Sequence, residues 1–332
     1  MKLAFFDTHN FDRRAFNQVN QHFGHEIVYF EPRLTKDTAL LADGFQAVCA
    51  FVNDRIDADT MKILRECGVK LIALRSAGYN QVDLQAAQKY RLMVVRVPEY
   101  SPYAVAEHTV ALILTMNRRI HRSYQRVREL NFSLDGLVGF DLHGKTVGII
   151  GTGRIGKAFA SIMRGFGCKL LAYDLRQDTE FAKRLGLTYV DLPEIYAHSD
   201  VISLHVPLTP ETHYMIDDQA FKAMKMGVAI VNSSRGGLIE TSALIRALKA
   251  GRIGFAALDV YEEEEGVFFH DLSEFGLQDD VLARLLTFPN VLITSHQAFL
   301  TNEALANIAE TTLGNLSAFE KHGELLNQVV IE

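Results

Sequence analysis

The chain has 332 residues, more than one hydrophobic core usually organises, so two domains are expected. Its 48% hydrophobic and 22% charged content is that of an ordinary globular protein, and a formal net charge of -6 lacks the strongly basic face that phosphate backbones demand, which argues against nucleic acid as a partner. Cys49, Cys67 and Cys168 are too few and too scattered for a disulfide framework or a thiol-zinc site, and no run reaches the roughly 18 apolar residues of a spanning helix, so neither metal nor membrane is expected.

The first residues, MKLAFFDTHN, contain neither a long apolar region nor a small-residue cleavage site, and a cytoplasmic location is the expectation. KLAFF, EIVYF, AVCAFV, KLIALR and LMVVRVP read as strands, separated by helix-like segments such as TMKILRECG, in which Met61, Leu64 and Cys67 recur at helical spacing. This alternation predicts a small open sheet with helical crossovers. His22 and His25 flank Gly24, but no acid or thiol completes a metal set, and both are read as surface residues.

At Ser101, an N-cap residue followed by Pro102, a long helix is predicted to start and to run unbroken through the 120s. Its first half is apolar all round and should be buried. Its second half holds Arg118, Arg119, Arg122, Arg126 and Arg128, which read either as a solvated basic end or as an arm against a second subunit.

The stretch KTVGIIGTGRIGKAFASIMRGFGCKLLAYDLR follows. A strand over 146–150 leads into Gly151, Gly153 and Gly156 at the spacing G-x-G-x-x-G, then a helix from about Arg154 to Phe166 and a strand ending at Asp174. The first glycine permits a tight turn, the second lets backbone approach a pyrophosphate, and the third lets helix and strand pack closely. Asp174, with a carboxylate suited to ribose hydroxyls and repelling a 2′-phosphate, points to NAD rather than NADP, although Arg176 lies two residues on. Further strands are read at DVISLHV, VAIVNSS, FAALDV and VLITS, and a last helix from about Thr301 to His322 is expected to return to the first domain. The fold class is α/β with two doubly wound parallel-sheet domains: residues 101–298 form a Rossmann dinucleotide-binding domain inserted in a flavodoxin-like substrate domain of residues 1–100 plus 299–332, the two crossings acting as a hinge.

Ligands of wound sheets gather at the carboxyl ends of strands. Three reactive groups follow strands in the second half: Arg235 after VAIVNSS, the glutamate run 262–265 after FAALDV, and His296 after VLITS. Hydride transfer to a ketone needs these types. An imidazolium supplies the proton, a carboxylate beside it fixes its tautomer, and a guanidinium fork binds the carboxylate of a 2-keto acid and polarises its carbonyl. The expected reaction is reduction of a 2-keto acid by NADH.

The segments LRSAGYNQVD (74–83), VPEYSPYAVAEH (97–108), VGIIGTGRIG (147–156), HVPLTPETH (205–213), VNSSRGGLIE (231–240), ALDVYEEEEG (257–266) and ITSHQAFLT (293–301) give the whole chain a resemblance to the D-isomer-specific 2-hydroxyacid dehydrogenases, above all to the bacterial fermentative D-lactate dehydrogenases. The resemblance implies that Arg235 binds substrate, that His296 is the proton donor, and that Glu264, five residues after Asp259, is its partner. Glu262, Glu263 and Glu265 are left as a solvated loop. It further implies that the backbone of Ala77 and Gly78 lies near the substrate carboxylate, with Tyr100 also at the substrate, and that Arg154, Ile155, Asp174, Val206, Pro207, Thr212, Ser234 and Asp259 surround the cofactor beside the three glycines. Two departures stand out: Ser295 where many relatives have proline, and Gly237, which adds flexibility after Arg235. Phe299 and Tyr100, with Phe51, make a small apolar pocket that suits the methyl of pyruvate. The implied reaction is the reversible reduction of pyruvate to D-lactate by a homo-oligomer, dimer or tetramer. A related enzyme for another 2-keto acid and an NAD-sensing corepressor-like binding protein are the alternatives.

Overall fold

Short runs of aliphatic residues become strands, most of the inner ones buried on both faces, and helices connect most of them, so both sheets of the computed structural model, which describes residues 1–330, are parallel throughout. The chain forms two units, residues 1–101 with residues from Phe299 onward, and Pro102–Ala298.

The first unit begins with β1 (Lys2–Phe5), α1 (Asn10–Asn20), β2 (Glu26–Tyr29), β3 (Ala47–Ala50), α2 (Ala58–Glu66), β4 (Leu71–Leu74), α3 (Leu84–Tyr90) and β5 (Met93–Val95). Asp57 and Asp83 start α2 and α3 by accepting the amides of Thr60 and Ala86. The sheet order β2-β1-β3-β4-β5 places β1 between β2 and β3, so successive crossovers leave it on opposite sides. The carboxyl ends of β1, β3 and β4 therefore open on one edge, which is where such sheets receive ligands.

The second unit opens with α4 (Pro102–Asn117) and α5 (Ile120–Arg128). The single long helix expected from Ser101 is thus two helices. Arg119 adopts the left-handed conformation at φ 50°, and the buried Asn117 side chain at the end of α4 accepts from the Phe140 amide at 2.9 Å and donates to the Phe140 carbonyl at 2.7 Å. A chain segment some twenty residues on therefore binds the end of the apolar half, and α5, which buries no residue, starts afresh. There follow β6 (Thr146–Ile150), α6 (Arg154–Gly165), β7 (Lys169–Tyr173), α7 (Thr179–Leu185), β8 (Leu187–Tyr189), α8 (Leu192–His198), β9 (Val201–Leu204), α9 (Asp218–Ala223), β10 (Val228–Asn232), α10 (Thr241–Lys249), β11 (Ile253–Leu258), α11 (Asp280–Leu286) and β12 (Val291–Ile293). The order β12-β11-β10-β9-β6-β7-β8 is that of a Rossmann sheet, with its switch point between β6 and β9. Strand β8, three residues at the sheet edge, was not among the expected strands.

The chain returns to the first unit in α12 (Asn302–His322), whose N-cap Thr301 accepts the Ala304 amide. This helix packs on α1 and corrects one expectation: His25 is buried, its Nε2 lying 2.9 Å from Ser317 Oγ and 3.3 Å from the Leu313 carbonyl, whereas His22 is exposed as expected. Burial, joined by the nearby N-terminal ammonium, holds the His25 imidazole below its ordinary range.

Candidate active site

At the carboxyl end of β10, Asn232 shapes the next turn from both sides. Its Oδ1 accepts the Ser234 amide at 3.0 Å and its Nδ2 donates to the Arg235 carbonyl at 2.8 Å. Ser234 Oγ donates to the Val206 carbonyl at 2.6 Å, so two of the expected cofactor residues, one after β9 and one after β10, are joined directly. Arg235 is half-buried and its Nη1 donates to the Ser234 carbonyl at 2.7 Å. The next residue must be glycine, since a Cβ at Gly236 would overlap the Tyr261 carbonyl. The Arg235 turn therefore lies flat against the start of the acidic run. Gly237, read as a flexible joint, is buried beside Leu208.

Asp259 follows β11 and is wholly buried. Its carboxylate accepts from Thr294 Oγ1 at 2.5 Å, from the Gln297 amide at 3.0 Å and from the Ala298 amide at 2.8 Å, with His108 Nε2 at 3.3 Å. Burial alone would raise its pKa, but the bonds from His108, Thr294 and Gln297 together outweigh it and hold the group below the usual carboxylate range. These bonds tie the Asp259 carboxylate to the turn after β12.

That turn bears His296, at φ 53°, a left-handed conformation uncommon for a non-glycine residue and typical of functional sites. Its Nδ1 lies 2.8 Å from Oε1 of Glu264, while Oε2 of Glu264 accepts the Tyr261 amide at 3.3 Å. Both carboxylate oxygens are engaged, which fixes the acid and, through it, the ring. With Nδ1 bonded to the acid, Nε2 is the ring nitrogen left for proton transfer. Of the other three glutamates, Glu263 and Glu265 are exposed as expected. Glu262 is not: its carboxylate accepts the Tyr214 hydroxyl and, at 3.1 Å, the Thr241 amide. The solvated-loop reading failed here because both partners are distant in sequence.

The glycine loop sits between β6 and α6. Gly151 has φ 97°, and a Cβ there would meet the His205 carbonyl oxygen at 2.6 Å. A Cβ at Gly156 would strike the Gly151 carbonyl. At Gly153, the N-cap of α6, a Cβ would meet nothing within 4 Å. No protein atom demands glycine at that position, so the open cradle at a helix N-terminus fits the approach of a pyrophosphate. Arg154 is exposed and Ile155 half-buried at the start of α6. Beyond β7, Asp174 Oδ2 accepts the Thr152 amide at 2.6 Å and its hydroxyl at 2.9 Å, and Oδ1 accepts the Arg176 amide at 2.9 Å. Burial opposes ionisation of Asp174, yet the bonds from Arg176 and Thr152 prevail and hold its pKa low. Thr212 donates through Oγ1 to the Pro207 carbonyl at 2.7 Å, closing the loop after β9.

In the first unit, Ser76 Oγ donates to the Gly78 carbonyl at 2.8 Å and Arg96 Nη1 to the Ala77 carbonyl at 2.7 Å, so the loop after β4 is held by its carbonyls. Phe299 lies 6.4 Å from Tyr100 and 5.9 Å from Phe51 between ring centroids. Phe11, 6.1 Å from Phe299, completes this aromatic group, with His9 stacked on it at 5.2 Å. Sequence reasoning missed both, although they follow β1 and the carboxyl-end rule applied there too. It also missed Arg75, fully buried after β4, whose guanidinium lies over the rings of Phe5 and Phe51 and near the Asp12 carboxylate.

Residues 110–298 match the model of the D-isomer specific 2-hydroxyacid dehydrogenase NAD binding domain. Over 330 residues, covering 99% of this chain and 100% of the other, the sequence is 52% identical to a D-lactate dehydrogenase of Escherichia coli. The chain belongs to the D-isomer-specific 2-hydroxyacid dehydrogenase family. Among solved structures, the apo form of the Escherichia coli D-lactate dehydrogenase superposes with a TM-score of 0.91 at 51% identity, covering 99% of this dehydrogenase and 100% of that chain. A pyruvate reductase of Chlamydomonas reinhardtii superposes with a TM-score of 0.93 at 44% identity over 98% of each chain. The dehydrogenase is accordingly an NAD-dependent oxidoreductase acting on a small molecule, and the corepressor-like alternative falls away. Among the described residues no helix of this dehydrogenase is long and apolar enough to cross a membrane, and no cluster of three metal-ligating side chains occurs.

Proposed function

We propose that the enzyme reduces pyruvate to D-lactate reversibly, with His296 as proton donor, Glu264 as its partner and Arg235 as the residue that binds the carboxylate and polarises the carbonyl. The observation that supports this most is the His296–Glu264 contact of 2.8 Å, with the second Glu264 oxygen held on the backbone of Tyr261. When bound, NADH supplies the hydride that reaches the carbonyl carbon. The proton on His296 Nε2 passes to the carbonyl oxygen as negative charge develops there, and the Glu264 carboxylate faces the resulting imidazole from the other nitrogen. Arg235 offers two parallel N–H groups that match a carboxylate. In the first unit, the backbone of Ala77 and Gly78 is proposed to lie near the substrate carboxylate.

Residues 101–298 are the proposed NAD-binding domain, and residues 1–100 with 299–332 the substrate domain. Gly151, Gly153, Arg154, Ile155 and Gly156 would hold the pyrophosphate, Asp174 the adenosine ribose, and Val206, Pro207, Thr212, Ser234 and Asp259 the remainder of the cofactor's surroundings. Tyr100 and Phe299 with Phe51 favour a methyl over a larger substituent, because aromatic side chains crowd together there. The activities of the relatives, D-lactate dehydrogenase and pyruvate reductase, support the same substrate. We place the enzyme in the cytoplasm as a homo-oligomer: Tyr124, Val127, Leu130, Phe132, Leu134 and Val138, on and just beyond α5, expose an apolar surface suited to a second copy.

The test is a panel of 2-keto acids with NADH, followed by NADH absorbance and chiral analysis of the product. Pyruvate should give the highest kcat/KM and D-lactate the product. Preference for a branched or phosphorylated keto acid, or L-lactate as product, would overturn the assignment.

A further inference from the structure

The acidic run holds a second carboxylate that is not solvated. Glu262 lies two residues before Glu264, and its side chain joins three parts of the second unit. One oxygen accepts the hydroxyl of Tyr214, and the other accepts the amide of Thr241 at 3.1 Å. Thr241 is the first residue of α10, whose N-cap Glu240 makes no side-chain cap, so Glu262 supplies from outside an acceptor that the helix start lacks. Tyr214 in turn donates its amide to the Gly237 carbonyl at 2.9 Å, two residues beyond Arg235, and stands at φ 54° at the end of the loop that contains Val206 and Thr212. Acceptance by Glu262, with burial adding to it, pushes the Tyr214 phenol up to about 12, so it remains a donor at any working pH.

Gly236 completes the connection, because its missing Cβ lets the Arg235 turn lie against the backbone of Tyr261 and Glu262. Tyr261 is also the residue whose amide holds Glu264 Oε2. A shift of the backbone at Glu262 therefore moves the donor that holds Glu264.

We propose that Glu262 is a positioning residue for the Glu264–His296 pair, acting through its bonds to Tyr214 and Thr241 to fix the backbone of the acidic turn. This rests on the reading that Glu264 and His296 perform the proton transfer. The role is geometric and not electrostatic, so glutamine, which can accept from Thr241 and pair with the Tyr214 hydroxyl through its amide, should serve in its place.

The test is a mutant cycle with pyruvate and NADH on the full-length enzyme. Glu262→Ala should lower kcat/KM for pyruvate about tenfold, mostly in kcat, as expected of a misplaced catalytic group. Binding of NADH, read by its fluorescence, should stay within about twofold, because the cofactor loop keeps its own bonds. Glu262→Gln should restore most of the lost activity, and Tyr214→Phe, which removes only one hydroxyl, should show a smaller loss of the same kind. The deciding variant is Glu262→Ala combined with Glu264→Gln. If Glu262 acts through Glu264, the double variant is no worse than Glu264→Gln alone, whereas a merely structural residue gives losses that multiply. Multiplying losses, or a Glu262→Ala enzyme of wild-type kcat beside an impaired Glu264→Gln, would overturn this inference alone. A Glu264→Gln enzyme of wild-type activity would sink the proton-transfer reading and this inference with it. Should Glu262→Ala fail to fold, Tyr214→Phe in both backgrounds makes the same comparison.

Discussion

His296 hangs from Asp259 by its backbone: the His296 amide donates to the Asp259 carbonyl at 2.7 Å, while the Asp259 carboxylate takes the amides of the next two residues, Gln297 and Ala298. The left-handed turn that presents the imidazole is thus enforced by a buried anion one strand away. Replacing Asp259 by asparagine would turn a pure acceptor into a group with an N–H₂ end facing backbone donors. A buried donor left unmatched costs about 1–3 kcal/mol. Asp259→Asn should therefore lower the thermal midpoint and reduce kcat for pyruvate together, as read by calorimetry and steady-state kinetics. An unchanged midpoint would mean that the turn holds itself.

Arg235→Lys keeps the charge but loses the planar fork. The KM for pyruvate should rise and kcat/KM fall by roughly two orders of magnitude or more, with NADH binding nearly intact. Steady-state kinetics and a fluorescence titration of NADH separate the two effects. Wild-type kcat/KM would reject the assigned role.

Asp174 holds the glycine loop through Thr152 as well as standing where a ribose would be met. Asp174→Ala should consequently act twice, raising the KM for NADH and narrowing the preference for NADH over NADPH, because acceptor and repulsion go together. Both follow from parallel kinetics with the two cofactors. A raised KM with unchanged preference would show that the residue only braces the loop.

His205, beneath the glycine loop, is half-buried, with its ring 5.0 Å from Phe159 and Nε2 2.9 Å from Ser203 Oγ, and burial lowers its pKa from 6.5 to about 3. The folded state therefore binds this proton more weakly than the unfolded chain. Stability is fully present above the unfolded value of 6.5 and is lost as pH falls through it towards about 3, at up to about 1.4 kcal/mol per pH unit from this group. Urea midpoints measured across that window should fall more steeply for the wild type than for His205→Gln. Equal slopes would show that the ring titrates freely.

Much of this site was legible in the sequence because its signals are local. The glycine spacing, the buried aliphatic runs and the polar residues placed just after strands each state their structure within a dozen residues. What escaped is set by contacts across long separations. The break at Arg119 is made by Asn117 meeting Phe140, with no glycine or proline to announce it. His25 is buried by a helix nearly three hundred residues later, and Glu262 is engaged by Tyr214 from another loop and by Thr241 at the start of α10. Within the run of four glutamates, charge alone separates none of them. Burial separates Glu262 and Glu264 from their exposed neighbours, and only geometry then assigns one to His296 and the other to α10.

In the proposed reaction the imidazole of His296, oriented by Glu264, delivers the proton during reduction of pyruvate. This transfer is tested most directly by single-turnover oxidation of NADH on addition of pyruvate to His296→Asn, a side chain that fills a similar space but has no ionisable proton. The rate should be lower by about 10²–10⁴-fold, the usual contribution of a positioned general acid, with the affinity for NADH preserved. A His296→Asn enzyme that turns over pyruvate at the wild-type rate would contradict it.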